Sequence, residues 1–205
     1  MTASTATNSS SVKKLPILTI TILGAFFTIF NQTTMTVALP TLMDAFGVLP
    51  ATGQWLTTGY MLVNGIFIPI TGYLMRRFTT RELFLGSMSV FLIGTIVAAA
   101  APSFAVLLAG RLIQAASTGI TMPLLMNVVL SLFPPEKRGT AMGTVGLAVI
   151  FAPAIGPALV GYVLDIFPWQ ALFYGMIPII AVIIVIKRGP AADYTEEKDK
   201  RAASA

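Results

Sequence analysis

"AGRLIQAASTGITM", residues 109–122, sets one arginine, Arg111, inside a long apolar run with no Asp or Glu near it in sequence. The medium around that guanidinium decides the fold. Apolar residues make up 56% of the 205-residue chain and charged residues only 10%, against roughly 45–50% and 25% in ordinary soluble domains. Working outward from Arg111, apolar stretches long enough to cross a bilayer of ~30 Å fall at 17–39, 52–75, 83–101, 105–130, 140–164 and 170–186. The expected class is an all-α membrane protein with six transmembrane helices. Gly and Pro inside several of these runs would argue against soluble helices but are tolerated in lipid.

Residues 1–14 are rich in Ser and Thr and are expected to form a disordered cytoplasmic tail. Residues 15–188 would form the bundle, and 189–205 a polar cytoplasmic tail. The first apolar run is too long for a signal-peptide core and lacks a cleavage site, so it is read as a retained helix. Lys13 and Lys14 precede the first span, and Arg76, Arg77 and Arg81 separate the second from the third. Lys137 and Arg138 separate the fourth from the fifth, while Lys187, Arg188, Lys198, Lys200 and Arg201 follow the sixth. Twelve of thirteen basic residues thus fall on one side of a six-span chain, and the thirteenth is Arg111. The positive-inside rule puts that side, with both termini, in the cytoplasm of a multi-pass cell-membrane protein. The net charge of +5 therefore marks topology, and no nucleic-acid partner is expected. Three spans per repeat also invert the second copy, as two inverted three-helix repeats require.

A charge at bilayer depth costs several kcal/mol or more and normally faces protein or a watery cavity. Arg111 lies eight residues beyond Ser103, the expected outer end of the fourth span, or roughly 12 Å deep. Asn31 and Gln32 sit at a similar depth below Pro40, where the first span is expected to leave the membrane. Both are expected to offer amide oxygens to Arg111 across a central cavity, with Gln114 supporting it from the same helix face. All three partners are neutral, so the site should keep a positive field. The other reading makes Arg111 a packing residue tied to backbone carbonyls. Asn64, Tyr60, Trp55 and Asn127 are candidates either for a pathway wall or for interhelical and interfacial anchoring.

The fifth span, "GTAMGTVGLAVIFAPAIGPALVG", carries Gly139, Gly143, Gly146, Pro153, Gly156, Pro157 and Gly161. Small side chains at such spacings allow close helix approach, and the prolines remove backbone bonds and bend the helix. With these residues in view, the chain resembles the N-terminal half of a major facilitator superfamily transporter of the EmrB/QacA-type drug:proton antiporter branch. "TVALPTL" resembles that branch's signature after the first helix. "GYLMRRFTTRELFL" resembles motif A, and "LLAGRLIQAASTG" resembles motif B with Arg111 on the motif's arginine. "APAIGPALVG" resembles the antiporter motif C, with Gly156, Pro157 and Gly161 on its key positions. The chain departs from the pattern at Arg76, where motif A usually has aspartate, at Thr79, where it has glycine, and at Ala115, where motif B has glycine. Many members also carry an aspartate where Asn31 stands.

The resemblance implies half of a major facilitator fold. It implies proton-coupled export of drugs or other small hydrophobic compounds by alternating access. Asn31, Gln32, Asn64, Arg111 and Gln114 would line the substrate or coupling cavity. Gly72, Arg76, Arg77, Arg81, Gly143, Gly146, Pro153, Gly156, Pro157 and Gly161 would serve gating and helix packing. Proton coupling needs a titratable group in the pathway, and none of the eight carboxylates lies at the centre of a span. The expected partners are a small-molecule substrate, protons, the lipid bilayer, and a missing C-terminal half or a second copy. A truncated product is the favoured expectation. The alternative is a non-transporting membrane protein that pairs with or modulates an intact transporter. With no His, no Cys and no paired buried carboxylates, neither an enzyme, nor a metal site, nor a cofactor is expected.

Overall fold

The computed structural model describes residues 6–188, and its regular structure is helical throughout. The helices are α1 (Ala6–Phe46), α2 (Pro50–Gly53), α3 (Trp55–Arg77), α4 (Thr80–Ala99), α5 (Phe104–Leu132), α6 (Pro135–Ile166) and α7 (Ala171–Arg188). Five candidate spans are long and apolar enough to cross a membrane, and α7 supplies a shorter apolar helix. The short α2 leads into α3, so the second expected span corresponds to both.

α1 starts at Ala6, inside the stretch expected to be a disordered tail. No Gly or Pro lies between Ala6 and Lys14 to stop it, and propagation adds a hydrogen bond for every residue fixed once a nucleus exists. Residues 1–5 and the expected tail at 189–205 lie outside the described residues. At its other end α1 runs through Pro40, where the sequence suggests an exit, and stops at Phe46. Gly47 provides the stop. Its φ of 61° is left-handed, and the bonds Gly47 N→Asp44 O and Val48 N→Met43 O close a Schellman cap. α4 begins at a capping box in which Thr79 and Glu82 satisfy each other's backbone N–H groups.

α5 is the hub, packing on α4, α3 and α1, while α1 also packs on α6 and α4 on α7. Exchanging the first triplet for the second maps the α3–α5 contact onto α6–α1. The same exchange returns α1–α5 and α4–α7 to themselves, as inverted repeats demand. The α4–α5 contact is the most extensive. A Cβ built on Gly110 would lie 2.8 Å from Ala98 N and 2.9 Å from Gly94 O, so glycine there lets two backbones touch.

Apolar clusters occupy both ends of the bundle. Met35, Ala38, Leu42, Leu107 and Phe173 pack in one, whereas Phe84, Met88, Leu124 and Ile180 pack in another. Along α1, α4 and α5 the stretch between them carries buried polar groups, among them Asn31, Thr95, Arg111, Gln114 and Thr118. α3 and α6 are the least enclosed helices, with Met61, Ile66, Ile150, Phe151 and Tyr162 more than half exposed. Such faces suit lipid or another apolar bundle, not water.

Candidate functional site

Arg111 is 1% exposed and is the bulkiest fully buried side chain among the described residues. Its Nη1 donates to Asn31 Oδ1 from α1 and to Gln114 Oε1, at 2.8 Å, from the next turn of α5. The Gln114 amide then donates to Thr95 Oγ1 of α4 at 2.9 Å, and the Thr95 hydroxyl donates to Phe91 O. On the other side Asn31 Nδ2 donates to the thioether of Met176 on α7 at 3.3 Å. The ring of Tyr60, on α3, lies 4.4 Å from the guanidinium carbon, and its hydroxyl pairs with Thr118. Four of the long helices, α1, α3, α4 and α5, therefore meet around one cation, and α7 joins through Met176. Cation–π contacts contribute about 2 kcal/mol or more when desolvated, and hydrogen bonds to charged groups ~1.5–3 kcal/mol. Every group holding Arg111 is neutral.

Asn31, Gln114 and Arg111 come together as the sequence suggests. Gln32 does not bond Arg111. Neighbouring residues on an α-helix point about 100° apart, so Asn31 and Gln32 present their amides in different directions. Gln32 instead lines a cavity of about 260 Å³ whose wall also includes Thr36, Gln54, Thr57, Tyr60 and Arg111. Asn64 is half-buried, lies against Gly119 of α5 and is not part of that wall. Thr95 and Met176 belong to the cluster without a sequence signal, since neither type marks a polar site in an apolar helix.

The motif residues are placed unevenly. Gly156 packs closely against α1, where an added Cβ would lie 2.9 Å from Thr33 Cγ2. Around Gly72, Gly143, Gly146 and Gly161 an added Cβ would meet nothing within 4 Å, and Pro153 and Pro157 are exposed. Arg76 and Arg77 are exposed at the end of α3, with the Arg77 guanidinium 5.4 Å from the Tyr73 ring. Arg81 is half-buried in the first turn of α4. Arg138, at the start of α6, donates to the carbonyls of Leu130 and Phe133 and so caps α5.

This arrangement of spans, buried arginine and inverted packing meets a specific match. The family model of the Major Facilitator Superfamily matches residues 21–204. The chain belongs to that superfamily. It is 46% identical over 181 residues to the lincomycin resistance protein LmrB of Bacillus subtilis, covering 88% of this chain and 38% of LmrB. It is 34% identical over 174 residues to the multidrug export protein EmrB of Escherichia coli K12, covering 84% and 34% respectively. These relatives bear out the resemblance to the EmrB/QacA-type branch. The chain spans little more than a third of the length of the curated relatives it matches. Among solved structures, a peptide transporter in complex with sulfate superposes with a TM-score of 0.73 at 18% identity, covering 91% of this chain and 42% of that one. That likeness confirms the fold: six helices making half of a major facilitator bundle, in a multi-pass membrane protein.

Proposed function

We propose that this chain acts as the N-terminal six-helix half of a secondary transporter. It would export drugs or other small hydrophobic compounds across the cell membrane by alternating access, in exchange for protons. The observation that carries this reading is Arg111, fully enclosed, held only by neutral groups, and on the wall of a cavity. Intramembrane ionisable groups are expensive and mark solute or ion routes. The names of LmrB and EmrB, a resistance protein and a multidrug exporter, support the substrate class.

The exposed apolar faces of α3 and α6 are where a second bundle would seat, either a C-terminal half or a second copy. The proton carrier would come from that bundle, because the described carboxylates Asp44, Glu82, Glu136 and Asp165 are all exposed and stand at or near helix ends. Both termini and the junction between α5 and α6, beside Lys137, would face the cytoplasm.

The test is drug accumulation in efflux-deficient cells expressing this chain together with the C-terminal half of a related exporter. Energy-dependent efflux is expected, and Arg111→Ala should abolish it while membrane expression persists. Normal efflux from that variant would leave Arg111 a packing residue. If the chain instead moves nothing but co-purifies with an intact relative and alters its export, the modulator reading replaces this one.

A further inference from the structure

A guanidinium offers five N–H donors in a planar fork. Nη1 uses its two on Asn31 and Gln114. The Nε–H is buried with no partner, and Nη2 makes no hydrogen bond among the described residues. The Tyr60 ring lies 4.4 Å from the guanidinium carbon, and the donors left for a further acceptor are those of the Nε–Nη2 edge. That edge matches the two oxygens of a carboxylate, which forms parallel charge-assisted bonds there. Among the described residues Arg111 is the single charged one on the wall of the cavity, and Gln32, Thr36, Gln54 and Thr57 supply polar groups around it. At about 260 Å³ the space falls below the ~300–1,000 Å³ of drug-sized pockets. It therefore suits the head group of an amphipathic solute, with the apolar body extending out of it.

We propose that the Arg111 cavity is a carboxylate site, and that Asn31 sets its charge preference. This deepens the transporter reading and rests on it for the ligand being a transported solute. Because Asn31 presents a neutral oxygen to Nη1, the guanidinium keeps its full charge for the ligand. An aspartate at this position, equal in size, would satisfy the same bond while cancelling that charge.

The test uses three probes with one apolar body: 4-phenylbutyrate, its primary amide, and 4-phenylbutylamine. Their binding to the purified chain in lipid nanodiscs is measured by calorimetry against empty nanodiscs. The carboxylate should bind at least tenfold more tightly than either of the others. Arg111→Gln should remove that preference. Asn31→Asp should weaken carboxylate binding by about tenfold or more and favour the amine. The parent chain alone decides the matter if a variant fails to fold, because equal affinities, tighter amine binding, or no binding by any probe would each overturn the proposal. Carboxylate binding without any transport activity would leave this site standing and sink the transporter reading. Transport that ignores solute charge would do the reverse.

Discussion

Gly110→Ala adds one methyl group where α4 and α5 already touch, and its cost follows from the geometry. The new Cβ would stand 2.8 Å from Ala98 N, 2.9 Å from Gly94 O and 3.1 Å from Ala98 Cα, all backbone atoms of α4 that cannot rotate away. Restoring ordinary contact requires the helices to part by roughly 0.6 Å, and gaps of about 0.5–1 Å forfeit a quarter to a half of each dispersion well. This is the most extensive helix contact in the bundle, so the loss repeats along its length. Alanine regains ~0.8–1 kcal/mol of helix propensity against an overpacking cost of ~1–3 kcal/mol. The expected net effect is a destabilisation of up to about 2 kcal/mol. Gly143→Ala is the matched control, since its Cβ meets nothing within 4 Å and only the propensity gain of up to ~1 kcal/mol remains. SDS titration of the purified chain in maltoside micelles, followed by tryptophan fluorescence, reads both. Should Gly110→Ala unfold at the same or a higher SDS fraction than the parent, the close-approach reasoning fails.

Three further outcomes are expected. Tyr60→Phe keeps the ring over Arg111 but loses the Thr118 bond, so any efflux read in the proposed co-expression assay should fall only a few-fold. Tyr60→Leu removes the aromatic face as well and should fall much further; equal effects would discount the cation–π contact. Thr79→Ala breaks the capping box of α4 and should cost ~1 kcal/mol in the same SDS titration, without changing export per folded molecule. Because the chain contains no cysteine, single-cysteine labelling is clean. An impermeant maleimide added outside whole cells should label Ser103→Cys, at the exposed junction between α4 and α5, and spare Glu136→Cys at the start of α6. The opposite pattern would invert the topology.

The spans were legible because length in lipid is a physical requirement, which five helices meet outright and α7 approaches, with basic residues at alternate connections. Arg111 and Asn31 could be paired by depth alone, since each lies some eight residues from an expected helix end, and Gln114 follows from the three-residue spacing on α5. Rotation about the helix axis was not legible. Helices that are apolar nearly all round give no face to read, which is why Gln32 was expected beside Asn31 and why Tyr60 and Thr95 could not be assigned. Pro40 misdirected the end of α1 because lipid-embedded helices tolerate proline, while Gly47, seven residues on, carried the real stop. The α6 glycines show the same limit. Their spacing announces a close neighbour, yet only Gly156 has one within this bundle.

The Gly94–Gly110 contact has a mechanical corollary. Two backbones at touching distance resist sliding or tilting past each other, which couples α4 to the half of α5 that holds Gly110. α5 alone is 29 residues, about 43 Å at 1.5 Å per residue. A displacement at the 100–103 turn is carried along α5 as far as Pro123, where that helix has its own break in the backbone ladder. Flexing must then fall to the more loosely held helices, and α6, with Pro153 and Pro157 inside it, is built to bend.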